Sequence, residues 1–262
     1  MSKTKIVLVA GGASHGNGEH EHPAGCLLFA DLLNKCVDNV EAVVHRGWPA
    51  DPKAFDNAAT VAVYSDGGEG HLIIPHLDEV DKLAKKGVGI AMLHYAVEVP
   101  KGKPGNCFLD WIGGYFEMHW SVNPHWTADF TSIPKHPVTQ GVKPFSLVDE
   151  WYYHMRFREN MKGVTPLLSA IAPASTMERP DGPHSGNPDV RKAVANNEPQ
   201  HLAWCVERSD GGRGFGFTGG HYHNGWANED LRKLILNAIV WTAKLEVPKG
   251  GIVTPTPTQE EL

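Results

Sequence analysis

Four short segments of this 262-residue chain combine histidines, carboxylates and glycines in patterns suited to proton or metal chemistry. They are Ser14-His15-Gly16-Asn17-Gly18-Glu19-His20-Glu21-His22, Ser65-Asp66-Gly67-Gly68-Glu69-Gly70-His71, His94-Tyr95-Ala96-Val97-Glu98 and Gly219-Gly220-His221-Tyr222-His223-Asn224-Gly225-Trp226. A neutral imidazole can accept a proton near pH 7 or ligate a divalent ion, and a nearby carboxylate assists either task. A fifth run, Asp149-Glu150-Trp151-Tyr152-Tyr153-His154-Met155-Arg156, is the densest in functional groups. Read as a strand, it puts Glu150, Tyr152, His154 and Arg156 on one face. Such a face is costly to bury without polar partners, so it lines a ligand cleft or forms a solvated edge.

The elements that must carry these segments read as alternating strands and helices. Lys5–Gly11, Val40–Val44, Thr60–Tyr64 and Gly89–His94 are apolar strand patterns, and Ala24–Val37 and His76–Lys86 have helical spacing. Trp151–Phe157, Thr165–Ile171, His201–Glu207 and Gly214–Thr218 read as later strands, and Asp230–Leu245 as the clearest helix. This order predicts an α/β fold with a doubly wound, mostly parallel sheet flanked by helices. The Gly-, Pro-, Trp- and His-rich stretch from Pro100 to Pro144 reads as an elaborated central insertion, and Pro173–Pro199 as a loop. Residues 1–247 are expected to form a single domain, followed by a Pro/Thr-rich tail at 248–262. In open sheets of this kind ligands bind beyond the carboxyl ends of the strands, and each of the four loops follows a predicted strand.

Candidate roles follow from side-chain chemistry. His94, Glu150, His154, Arg156 and His221 are the acid–base and electrostatic candidates. His20, His22, Asp66, Glu98, Tyr152 and His223 are the expected substrate contacts, with Trp226 as a platform for a sugar face. His15, His94 and His221 are the candidate ligands of a Zn-like divalent ion, with His20 and His223 as substitutes. Plainer readings stand beside these: a helix-capping loop at 14–22, a sheet-anchoring His94 and a core Trp226. His119, His125 and His184 fall in the irregular insertions as lid candidates, whereas His45, His71, His76, His136 and His201 read as structural or solvated.

Composition removes several classes. The chain is 41% hydrophobic and 21% charged with a formal net charge of −6, an ordinary globular profile that argues against nucleic-acid binding. No apolar run reaches a membrane span. The start, MSKTKIVLVAGG, has no secretory pattern, giving a cytoplasmic expectation, or a periplasmic one had a leader been removed. There is no GxxxxGK[ST] phosphate loop and no GxGxxG joining a strand to a helix, so no nucleotide cofactor is expected. The four cysteines show no CxxC spacing, and no HExxH occurs. These exclusions leave a small-molecule partner, with a homo-oligomer left open.

Gly219-Gly220-His221 after the last strand, the terminal helix and Asp149-Glu150-Trp151-Tyr152 together resemble the trehalose-utilisation (ThuA-like) family, whose acidic-aromatic signature the last of these matches. The resemblance runs from Lys5 to about Val247 and implies the class I glutamine-amidotransferase-like (flavodoxin-like) fold. Amidotransferases of that superfamily carry a nucleophilic Cys on the elbow after the fourth strand. Here the elbow holds His94, between Leu93 and Tyr95, so a thioester route is closed. His221 falls where the resemblance places the superfamily's histidine. It implies a hydrolase, lyase or isomerase acting on a sugar or keto-sugar (disaccharide or glycoside) by His/acid or metal-assisted chemistry, not a glutamine amidotransferase. The alternatives are a non-catalytic carbohydrate-binding protein and, more remotely, a hydrolase using Cys107.

Overall fold

Uninterrupted apolar runs make the strands that carry the candidate loops. In a computed structural model describing residues 3–258 and 260–262, they are β1 (Thr4–Ala10), β2 (Val40–Arg46), β3 (Ala58–Tyr64) and β4 (Gly89–Leu93). With β9 (Val164–Ala170), β10 (Gln200–Glu207) and β11 (Arg213–Phe217) they form a seven-stranded sheet in the order β2-β1-β3-β4-β11-β10-β9. The pairings from β2 through β11 are parallel, and β10 and β9 add an antiparallel edge. This is the α/β, mostly parallel sheet expected from the strand–helix alternation.

Register explains why the loops meet. Ala10 pairs with Tyr64, Tyr64 with Leu93 and Leu93 with Phe217, so four strand ends lie in one row across the sheet. Whatever follows β1, β3, β4 and β11 must emerge side by side, at the edge where open α/β sheets bind ligands.

Both sheet faces are covered. One core packs α1 (His22–Cys36) and α5 (Glu229–Thr242) on the sheet, and the other packs α2 (Leu77–Lys85) and α3 (Lys103–Trp111). On α5 the apolar Leu231, Leu234, Ile235, Ala238 and Trp241 are buried, and so are Arg232, Lys233 and Asn237. The terminal segment lies over them: Ile252 donates its backbone N–H to Asn237, and Arg232 donates to Thr254 and Pro255. Each polar group is therefore paired, as burial demands. No described helix is long and apolar enough to cross a membrane.

Three local expectations need correction. The central insertion is more ordered than its composition implies, containing α3, β5 (Gly114–Tyr115) and a ribbon of β6 (His125–Phe130) with β7 (Phe145–Glu150). The Pro173–Pro199 loop contains α4 (Pro188–Ala195), started by Asn187, whose side chain accepts the N–H groups of Asp189 and Val190. Trp151–Phe157 is not a strand. β7 ends at Glu150, Tyr153 makes an isolated bridge to Val122, His154 turns at φ +56°, and only Arg156–Phe157 forms the short β8 against β5. The turn at His154 interrupts the alternation on which the shared face of Glu150, Tyr152, His154 and Arg156 rested.

Candidate functional site

His94 stands directly after β4, at φ +56° in the first position of a short 3₁₀ turn, His94–Val97. That left-handed conformation is unfavourable for a side-chain-bearing residue by about 1–3 kcal/mol. It aims a fully buried imidazole across the carboxyl edge of the sheet. Nδ1 faces the carbonyl of Thr218 at 2.9 Å and must carry the proton, so Nε2 presents its lone pair to the site. Burial, together with the neighbouring His20, holds His94 well below the ordinary imidazole pKa, consistent with a neutral ring.

His20 arrives from the loop after β1. This loop is zipped to the loop after β11 by bonds from His20 N–H to the His221 carbonyl and from His223 N–H to the Gly18 carbonyl. Its Nδ1 faces Asp66 at 2.9 Å, and Asp66 also accepts the Ser14 hydroxyl at 2.8 Å. Although burial opposes ionisation of Asp66, these hydrogen bonds prevail and lower its pKa, so Nδ1 of His20 is the donor, and in the neutral ring Nε2 bears the lone pair. The two lone-pair nitrogens, Nε2 of His20 and of His94, are only 3.0 Å apart.

His221 follows β11 through a glycine pair that the geometry requires. Gly220 is at φ +101°, and a Cβ on Gly219 would fall 2.3 Å from the Trp151 ring. Asp149 fixes the segment, accepting the backbone N–H groups of Gly220, His221 and Glu150 at 2.7, 3.0 and 2.8 Å. Its burial still pushes its pKa up to about 6. Nδ1 of His221 lies 2.9 Å from His20 Nε2 and 3.1 Å from Glu150 Oε2. Burial disfavours a charge on His221, but the Glu150 carboxylate outweighs it and raises the pKa.

Glu150 Oε2 is also 3.7 Å from His94 Nε2, and Oε1 accepts a hydrogen bond from Asn123 at 2.9 Å. His20, His94, Glu150 and His221 thus bring three imidazole nitrogens and one carboxylate oxygen within 4.8 Å of one another. The Tyr152 hydroxyl reaches His94 Nε2 at 3.2 Å. This group can hold a divalent cation or move protons.

The other expected residues fall elsewhere. His15, expected as a ligand, is exposed and lies a layer outward with its ring 3.8 Å from that of His20; it belongs to a second group with His20 and Asp66. Here His20, one of the expected substitutes, takes the inner position. His22 is buried beside His20, its Nδ1 donating to the Gly12 carbonyl, and burial depresses its pKa to about 4. Glu98 is buried and paired with His184 at 2.9 Å. His154 donates Nδ1–H to the Trp120 carbonyl, while Arg156 lies over the Trp120 ring and binds Glu117. Neither reaches the cluster, because the chain turns at His154. Trp226 is fully buried against Phe29 and Tyr64, a core residue and not a sugar platform. His223, likewise buried, lies beside the backbone of Glu261 and is not among the converging donors. Cys107 sits on α3 with its thiol pKa raised by burial, unsuited to act as a nucleophile.

Three contributors, Asp149, Asn123 and Arg179, are not marked by residue type, and His125, a lid candidate, joins them at the site. Asp149 alternates away from Glu150 yet anchors it, and the adjacent acidic pair was the available signal. His125, in the insertion, donates Nδ1–H to the Tyr222 hydroxyl oxygen (3.0 Å), which leaves the lone pair on Nε2, 3.8 Å from Glu150. Asn123 and Arg179 join Glu150 and His125 in a pocket of about 390 Å³, within the usual size range of small-molecule sites. Nothing in the spacing of Asn123 or Arg179 marks them.

Comparison with known proteins agrees with this architecture. A family model described as ThuA, trehalose utilisation, matches residues 7–242. A ThuA-like protein from Bacteroides uniformis superposes with a TM-score of 0.65 at 15% identity, covering 96% of this chain and 95% of that one. A second, from Parabacteroides merdae, gives 0.57 at 14% identity over 98% and 94% of the two chains. No curated protein sequence shows a match.

Proposed function

This chain belongs to the ThuA, trehalose-utilisation, family, and from that premise we propose that it is a divalent-metal-assisted enzyme acting on a sugar, with a keto-disaccharide or keto-glycoside as its preferred class. One observation carries the reading: the lone pairs of His20 and His94 face each other at 3.0 Å, with His221 and Glu150 beside them. Two such lone pairs repel unless a proton or a metal cation lies between them, and the added His221 and Glu150 donors favour the metal.

The donors fit a metal ion. Bonds of about 2.0–2.1 Å in tetrahedral geometry separate neighbouring donors by about 3.3 Å; four of the six separations here run from 2.9 to 3.7 Å, and all lie within 4.8 Å. Three imidazoles and a carboxylate, without thiolate, suit Zn²⁺ or a similar ion. The outer nitrogens of His20 and His94 are tied to Asp66 and the Thr218 carbonyl, the second contacts that orient ligating histidines. When bound, the ion supplies Lewis-acid polarisation of a sugar carbonyl or hydroxyl oxygen.

The surrounding residues supply the proton handling. His125 Nε2 is the base, its ring oriented by Tyr222 at the edge of the pocket. A carbonyl acidifies the neighbouring C–H, so this nitrogen removes that proton while the Tyr152 hydroxyl donates a hydrogen bond to the developing oxyanion. Isomerase and lyase chemistry both begin this way.

The test is product formation from glycosides and their keto forms, followed by mass spectrometry. Turnover is expected with metal-loaded protein, and loss of it after chelation and in His94→Ala and Glu150→Gln. Turnover indifferent to chelation and to both substitutions refutes the proposal. Sugar binding without any product supports a carbohydrate-binding protein instead.

A further inference from the structure

The pocket beside Glu150 contains a cation with no anion. Arg179 donates one Nη2–H to Asn123 Oδ1 at 3.1 Å, while its Nη1 is buried and has no hydrogen-bond partner. Among the described residues no carboxylate lies within ion-pair distance of it. Asn123 is also the residue that donates to Glu150. The amide therefore stands between the guanidinium and the carboxylate, keeping Arg179 from being neutralised by Glu150. Its field is felt across the pocket: Arg179 is one of the charges that oppose protonation of His125 and His184.

The guanidinium group also belongs to a residue of the pocket wall, so a ligand anion seated there would give this charge the partner it lacks. We propose that Arg179, with the side chains of Asn123, Ser175 and Thr176 that line the same pocket, binds a substrate carboxylate, and that the substrate is an acidic sugar of the uronate class. The inference rests on the preceding section only in taking the ligand to be a sugar. A guanidinium fork matches a carboxylate. Among the described residues Arg179 is the only Lys or Arg on the pocket wall, and Glu150 shares that wall, so a monoanion fits better than a dianionic phosphate.

The experiment is isothermal titration of the metal-loaded full chain with D-glucuronate, D-glucose and D-glucose 6-phosphate, alongside Arg179→Gln and Arg179→Lys. One charge-assisted hydrogen bond corresponds to a preference of about 10- to 100-fold. Glucuronate is expected to bind wild type at least about 10-fold more tightly than glucose. Arg179→Gln should abolish that preference, and Arg179→Lys should retain part of it. Equal binding of glucuronate and glucose, binding of neither, a preference that survives Arg179→Gln, or tighter binding of the phosphate ester would overturn the proposal. Metal content measured on the same samples separates the two readings. A preference without bound metal sinks only the metal-assisted mechanism, and bound metal without a preference sinks only the carboxylate subsite.

Discussion

His71 clamps the elbow that presents His94, and the clamp has a defined pH limit. It is buried between the loops after β3 and β4, donating Nε2–H to the Ala96 carbonyl at 3.0 Å while Nδ1 accepts the Ile73 N–H at 3.0 Å. Only the neutral Nε2–H tautomer satisfies both partners, since a second proton would point at a backbone N–H. Burial depresses its pKa from the ordinary 6.5 to about 4. The folded state thus binds fewer protons than the unfolded state between these values, and stability falls as pH drops through that window. The contribution lost relative to neutral pH is about 2 kcal/mol at pH 5 and about 3 kcal/mol at pH 4. His71→Leu removes this dependence, while leaving the Ala96 carbonyl and Ile73 N–H unpaired at about 1–3 kcal/mol each. Urea unfolding of metal-free wild type and variant at pH 7.5 and pH 5 measures the difference, cancelling other buried histidines such as His22. The stability gap should narrow by about 2 kcal/mol on acidification. Parallel losses in the two proteins would refute the assignment.

Two further substitutions probe the site and its support. Asp66→Asn weakens the acceptor that orients His20 and should lower divalent-metal affinity about 10- to 100-fold without unfolding the chain, read by metal titration. Trp226→Ala empties a fully buried position and should destabilise the fold by about 3–5 kcal/mol in urea unfolding. A stable Trp226→Ala variant that had lost sugar binding would contradict its assignment to the core.

The sheet and the converging loops were legible because both rest on local patterns. Apolar runs of strand length ended in glycine- and histidine-bearing loops, and parallel order alone places those loops together. The interior of the site was less legible. His20 and not His15 faces His94 because backbone turns at φ +46° and φ +67° orient the loop, and residue type does not encode such turns at histidine. His154 and Arg156 lie away from the cluster because β7 ends at Glu150 and the chain turns at His154, which strand alternation does not reveal. Asn123, His125 and Arg179 come from an insertion and a loop brought to Glu150 by tertiary packing, with no periodicity to announce them.

Metal stoichiometry tests the central claim most directly. Protein freed of any affinity tag, loaded with Zn²⁺ or Mn²⁺ and dialysed, should retain about one equivalent of divalent ion by elemental analysis, as one set of His20, His94, Glu150 and His221 donors requires. A His20→Ala/His94→Ala double variant that remains folded should retain almost none. Wild type retaining no ion, or the folded double variant retaining a full equivalent, would contradict the account.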